Sequence, residues 1–232
     1  MKITHIYHSG FCVELEHLVL IFDWYSHELP EFSPDKKIYC FVSHIHGDHY
    51  GRCIWDLRDR YRHVTYILDR NIRVPGAGVR QNPHLSHASV LKVKPHHMYE
   101  EEDLRFLTLL ATDQGVAYVV QAEGKIIFHA GDLNIWYWDD EPRRENNWQI
   151  ETFKREIDRI RDIHVDVAFL PFDPRLGRHI ADGPAEFLNE VDTDFVFPMH
   201  YWDNIEESRE ALRDPRLVPF IRKIYYEDSM EI

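Results

Sequence analysis

Short apolar runs separated by polar turns dominate the first part of the chain. Lys2 to Tyr7, Phe11 to Glu16 and Leu18 to Asp23 read as strands, with Glu16-His17 as a tight connection between the last two. Leu18-Val19-Leu20-Ile21-Phe22 is continuously apolar, as expected of a strand covered on both faces, and Ile38 to Ser43 has the same character. Tyr50 to Arg60 reads as a helix with Trp55 and Leu57 on its apolar side, and Val64 to Leu68 as a further strand. Residues 69 to 103 are the least regular part, punctuated by Asn71, Pro75, Gly76, Gly78, Pro83 and Pro95.

Order returns at Leu104 to Leu110 and continues in a hairpin, Val116 to Gln121 and Lys125 to His129, turning at Glu123-Gly124. Pro142 starts a long helix that runs to about Asp162, with Phe153, Ile157 and Ile160 at helical spacing. Val165 to Leu170 is an apolar strand, and Pro184 and Glu186 fit the first turn of a short helix ending near Val191. Phe195-Val196-Phe197 forms a strand leading into Pro198-Met199-His200. Glu206 to Arg213 reads as helical and Ile221 to Tyr226 as the final strand. Strands come first, then strands mixed with helices, which is the pattern of an α/β chain. Without a linker, repeat or low-complexity run, residues 1–232 are expected to form one domain.

Composition narrows the function. Net charge is -13 and the basic residues form no long cluster, which argues against a nucleic-acid binder. Cys12, Cys40 and Cys53 show no CxxC spacing and sit in or beside apolar segments, as buried thiols of a reducing compartment would. The N-terminus lacks the apolar core of a signal peptide, and no apolar stretch approaches the ~20 residues that cross a bilayer. A cytoplasmic protein without membrane partners is expected.

The chemistry is concentrated in Ser43-His44-Ile45-His46-Gly47-Asp48-His49, directly after an apolar run. His44 and His46 alternate, so in an extended segment their side chains point the same way. Gly47 lets the chain bend and aim Asp48 and His49 at a neighbouring point, which suggests two adjacent ion positions. Imidazole and carboxylate together suit Zn²⁺, Fe²⁺ or Mn²⁺. Two further apolar strands end in ligand-type residues: Ile126 to His129 runs into Ala130-Gly131-Asp132, and Phe195 to Phe197 into His200. These strand ends are expected to converge on one site.

With these residues in place, the chain resembles the metallo-β-lactamase fold superfamily, whose hallmark His-x-His-x-Asp-His appears here as His44, His46, Asp48 and His49. The resemblance extends to Asp132 as the metal-bridging aspartate, His200 as the last ligand histidine, and Asp23 as a buried aspartate supporting the ligand loop. Asp23 has the simpler alternative of a strand-end turn residue. His8-Ser9-Gly10-Phe11 is similar to stand-alone hydrolases of the branch that includes the ascorbate-6-phosphate lactonases. The implied architecture is a four-layer αββα sandwich with the site at one edge of its two sheets. The implied chemistry is attack by a metal-bound hydroxide, with Asp132 bridging the ions and Asp48 orienting the nucleophile or accepting its proton.

One family position departs from the pattern. The loop that normally supplies a third histidine reads Leu110-Ala111-Thr112-Asp113-Gln114-Gly115. Asp113 is the substitute ligand; its alternative is to cap its own turn. His84, His87, His96 and His97 are other donors, each with the simpler reading of a surface histidine. A carboxylate in place of an imidazole makes the set harder and favours Mn²⁺ or Fe²⁺ more than usual, with Zn²⁺ still the first choice and one or two ions bound.

For the substrate, Asn134 and Trp136-Tyr137-Trp138 follow Asp132, and Trp202 follows His200. They either wall a pocket or pack against the long helix. Arg175 is the candidate cation for an anionic substrate group, with an ion pair to Asp173 as its alternative, and His179 is a candidate proton donor. The leading expectation is a hydrolase of a small ester, lactone, amide or phosphodiester. A redox di-iron enzyme or a metal-sensing protein without turnover are the other classes. Oligomeric state is not legible.

Overall fold

The computed structural model describes residues 1–74 and 89–232. Their contacts divide the chain into two compact units, Met1–Lys94 with Glu227–Ile232, and Pro95–Tyr226. Each is built on one mixed sheet.

Among the described residues, the first unit holds β1 (Lys2–Tyr7), β2 (Gly10–Glu14), β3 (Leu18–Phe22), β4 (Lys37–Val42), β5 (Val64–Asp69), β6 (Ser89–Val93) and β13 (Ser229–Glu231). They lie side by side in the order β13-β1-β2-β3-β4-β5-β6. β3 pairs parallel with β4, while β2 pairs antiparallel with both β1 and β3. β1, β3 and β4 therefore all run the same way, and the residues that come after them leave from one sheet edge. All five residues of β3 are buried, as its unbroken apolar run requires. Cys40, Val42, Ile54, Leu57 and Tyr66 join Val19 and Ile21 in one core cluster, beneath a 3-10 turn at Arg52–Asp56 and the short helix α1 (Leu57–Arg60).

The second unit contains β7 (Met98–Glu100), β8 (Leu104–Leu110), β9 (Val116–Ala122), β10 (Lys125–His129), β11 (Val165–Pro171) and β12 (Thr193–Met199) among the described residues. Their order is β12-β11-β10-β9-β8-β7. β10, β11 and β12 are parallel, and β9 is antiparallel to both β8 and β10. β8, β10, β11 and β12 thus point in one direction, and the loops after them share an edge. Three helices accompany this sheet: α2 (Arg143–Asp158), α3 (Asp182–Glu190) and α4 (Ile205–Arg209). α2 buries Phe153 and Ile157, and Phe187 of α3 stacks on Phe128 of β10 at 4.8 Å. No helix among the described residues is long and apolar enough to cross a membrane.

Most predicted elements are found, with shifted ends. Three differ in kind. The stretch expected to be irregular contains β6 and β7, in which Val93 is the one buried residue, so they lack the continuous apolar core of β3 and β4. The helix expected over Tyr50 to Arg60 is a 3-10 turn followed by a single α-helical turn. The strand expected at Ile221 to Tyr226 is instead a 3-10 helix over Val218–Lys223, with Pro219 in its first turn and Val218 and Ile221 exposed. Only Ile224 bridges to Val196, and the last strand is Ser229–Glu231 against β1.

Candidate metal centre

In the first unit the chain leaves β4 at Ser43, β3 at Asp23 and β1 at His8, all at one edge. Asp23 is fully buried and organises the loop after β4. Its Oδ1 accepts the Ser43 backbone N–H at 2.7 Å, and its Oδ2 accepts both the Ser43 hydroxyl at 2.6 Å and His49 Nδ1–H at 2.7 Å. Because Ser43 spends its one hydroxyl hydrogen on Asp23, its oxygen accepts from His44 Nδ1, 2.9 Å away. Both imidazoles are thereby fixed with the proton on Nδ1 and the lone pair on Nε2, the form that binds a metal.

The ligand-type atoms of His8, Asp48 and His49 lie within 4.8 Å of one another, as do those of His44 and His49. The His46 ring stands edge-on to His44 at 4.6 Å between centroids, and His46 itself is exposed. Asp48 Oδ2 is 3.5 Å from His8 Nε2, and this interaction, outweighing partial burial, holds the Asp48 carboxyl well below the usual carboxylate range. His8 is fully buried and sequence reasoning did not single it out as a donor. A histidine just before a Gly-containing turn carries no ligand signature; its backbone does, since φ is 57° at His8 and 44° at Asp23. Non-glycine residues in this region cost about 1–3 kcal/mol and persist only where their surroundings hold them.

In the second unit, loops after β8, β10, β11 and β12 bring Asp113, Asp132, Asp173 and His200 to one edge. Carboxylate oxygens of Asp113 and Asp132 lie within 4.8 Å of each other. Asp132 Oδ1 is 3.4 Å from His200 Nε2. His200, at φ 68°, directs Nδ1 to the buried Asp173, whose Oδ2 accepts at 2.9 Å, so in the neutral ring the lone pair is again on Nε2. Burial acts to raise the Asp173 carboxyl, but hydrogen bonds from His200 and Arg175 outweigh it and leave it low.

These loops are tied together from behind. Thr112 Oγ1 donates toward the carbonyls of Asn134 at 2.5 Å and Asp132 at 3.2 Å, and accepts the Asn134 N–H at 3.0 Å. From α2, Gln149 Nε2 donates to the Thr112 carbonyl at 3.3 Å, and the buried Glu156 accepts the Leu110 N–H at 3.0 Å. His96 also bonds Glu156, at 2.9 Å, and His97 bonds the Pro95 carbonyl. Neither is directed to the ligand cluster. His84 and His87 lie outside the described residues.

Of the candidate substrate residues, Trp136 and Trp202 lie beside His200 and Arg175 is linked to it through Asp173. Trp136 and Trp202 present their rings at 5.2 and 5.1 Å from the imidazole, and Trp136 Nε1 donates to the Asp132 carbonyl. Arg175 is engaged on Asp173 through Nε and Nη2 and lies 4.5 Å over the Trp202 ring. His179 bonds Asp182 at 2.8 Å and stacks on Tyr137. The buried Asn134 amide rests against Gly183 at the start of α3.

The donor set fits a divalent cation. Two ligands held at ~2.0–2.1 Å from a tetrahedral zinc stand about 3.3 Å apart. The His200 Nε2 to Asp132 Oδ1 separation of 3.4 Å matches that spacing. With His200 neutral and its proton on Nδ1, two electron-pair donors face each other at that distance, an arrangement that either a cation between them or a proton on Nε2 relieves.

Comparisons with known proteins agree with this architecture. No family model matches the chain. A UPF0173 metal-dependent hydrolase of Desulforamulus reducens is 24% identical over 235 residues, covering 92% of this chain and 90% of the relative. Igni18, a metallo hydrolase from Ignicoccus hospitalis, superposes with a TM-score of 0.62 at 17% identity over 100% of this chain and 98% of its own. The metallo-β-lactamase fold protein YhfI from Bacillus subtilis gives 0.52 at 13% identity, over 90% and 92% of the two chains. The chain therefore has the α/β fold of the metallo-β-lactamase type, and over most of its length it is similar in sequence to UPF0173 metal-dependent hydrolases.

Proposed function

We propose that this protein is a metal-dependent hydrolase acting on a small ester, lactone, amide or phosphodiester. Its ligands are His44, His46, Asp48 and His49 in the first unit and Asp113, Asp132 and His200 in the second. The observation that carries the reading is the orientation of three buried imidazoles: Ser43 and Asp23 fix His44 and His49, and Asp173 fixes His200, each with its lone pair on Nε2. Relatives of similar length bearing the name metal-dependent hydrolase support it.

A bound divalent cation would supply Lewis acidity, lowering the pKa of a water molecule from 15.7 to about 7. The chain's own residues supply the rest. Asp23 and Asp173 hold the imidazoles in plane, so metal binding requires no reorganisation of these rings. Asp48, 3.5 Å from His8 through Oδ2, would orient the nucleophile or accept its proton. Trp136 and Trp202, packed on His200, shield that imidazole from solvent. A harder donor set with Asp113 leaves zinc as the first choice and manganese or iron as close competitors.

The test is elemental analysis of the purified chain, paired with hydrolysis of a panel of esters, lactones and bis-p-nitrophenyl phosphate before and after chelation. One or two divalent ions per chain are expected, with turnover lost on chelation and restored by zinc or manganese; His46→Ala should lower both the metal content and the rate. Turnover that survives complete metal removal would overturn the reading, and so would two oxygen-sensitive iron atoms with no hydrolysis.

A further inference from the structure

Asp173 is fully buried at the end of β11 and is not itself proposed as a ligand. It receives hydrogen bonds from two sides. His200 Nδ1–H reaches Oδ2 at 2.9 Å. Arg175 reaches Oδ1 through its backbone N–H at 2.9 Å and both oxygens through Nε at 3.0 Å, and Nη2 adds a bond to Oδ2 at 2.5 Å. The guanidinium plane is itself held, lying 4.5 Å over Trp202, a residue at φ 46° two positions after His200. Imidazole, carboxylate, guanidinium and indole therefore form one continuous stack of contacts within the second unit.

We propose that Asp173 is the positioning residue of His200 and that Arg175 belongs to this scaffold instead of being the cation that grips an anionic substrate. The proposal rests on the reading of His200 as a metal ligand. A carboxylate on Nδ1–H sets the tautomer and ring plane of a ligating histidine and makes Nε2 a stronger donor. A carboxylate buried this deeply must itself be held, and the planar fork of a guanidinium is suited to that task. Stacking on an indole removes the remaining freedom of the guanidinium. Arg175 is half-exposed, so a substrate can approach it. Turning the fork outward to a substrate anion would remove the three guanidinium hydrogen bonds from the buried Asp173 and leave it the His200 and backbone donors alone, a cost that favours the inward position.

The experiment measures zinc affinity of the chelator-stripped full chain by competition with a chromophoric chelator, alongside the visible spectrum of the cobalt(II) form. Asp173→Asn keeps shape and an acceptor for Nδ1–H, so the fold is retained; zinc should bind about 10–100-fold more weakly, the range found for such supporting partners. Arg175→Gln should weaken zinc binding in the same direction by about tenfold, Arg175→Lys by less, and both should alter the cobalt spectrum. Wild-type zinc affinity in Asp173→Asn overturns the positioning role. Unchanged or raised affinity in Arg175→Gln, with KM increased only for anionic esters, returns Arg175 to the substrate. A wild-type chain that binds no zinc, manganese or iron removes the functional reading itself, which is a different result from either.

Discussion

The ligand-bearing edges of the two units are built on opposite plans. In the first, four candidate ligands fall within the six positions from His44 to His49, and one buried carboxylate, Asp23, holds the segment through the Ser43 backbone, the Ser43 hydroxyl and His49. In the second, Asp113, Asp132 and His200 come from three separate loops, and the bonds that brace these loops are spread over several groups. Thr112 joins the first two loops, Glu156 and Gln149 brace one of them from α2, and Asp173 holds His200. A compact motif can rest on a single anchor because its members already share a chain segment. A dispersed set needs a cross-link for every loop, and each cross-link carries less.

The sharpest way to break this contrast is Asp23→Ala. It leaves three buried donors without their acceptor: Ser43 N–H, Ser43 Oγ–H and His49 Nδ1–H. At 1–3 kcal/mol for each buried group left unsatisfied, partly relieved by entering water, the loss should be about 3–5 kcal/mol in urea unfolding. A loss below about 1 kcal/mol would mean that the first unit, like the second, spreads its anchoring over many contacts.

The same contrast explains which residues the sequence reveals and which it hides. His44, His46, Asp48 and His49 are legible because spacing alone brings them together, and Asp132 and His200 because each ends an apolar strand. The strands themselves are legible where both faces are buried, as in β3 and β4, and not where few residues are buried, as in β6 and β7. The supporting residues are not legible in the same way. Asp173 looks like the partner of its neighbour Arg175, which it is; its bond to His200 spans 27 positions. Thr112 bonds across 22 positions and Glu156 across 46, with no local pattern marking either. Ser43 stands in plain view beside His44, yet its role emerges only once its hydrogen is known to go to Asp23, 20 positions away.

Thr112→Val probes the second plan at its most shared point. The substitution preserves volume and branching but removes the acceptor for Asn134 N–H and the donor to the Asp132 and Asn134 carbonyls. Because Gln149 and Glu156 still hold the loop from α2, a moderate loss of about 1–3 kcal/mol is expected by thermal denaturation. Thr112→Ser should recover most of it. A stability within about 0.5 kcal/mol of wild type would show that the braces from α2 suffice and that the hydroxyl adds nothing.

The smallest effect is expected from Gly183→Ala, and it asks whether the second plan can adjust. A Cβ on Gly183 would stand 1.8 Å from Asn134 Oδ1, with the Ile135 backbone nitrogen beyond it at 3.2 Å. By contrast, a Cβ on Gly51 in the first unit would meet the backbone of Tyr25 at 2.3–2.8 Å, where no rotation can help. Alanine in the first turn of α3 gains up to ~1 kcal/mol in helix propensity. Displacing the buried Asn134 amide costs more than that, typically 1–3 kcal/mol, so a net loss of about 1 kcal/mol should appear. The double-mutant cycle with Asn134→Ala isolates the cause: with the amide removed, Gly183→Ala should become neutral or stabilising, by up to ~1 kcal/mol. If the loss persists in that background, the obstacle is the Ile135 backbone, and the second unit is as rigid there as the first is at Gly51.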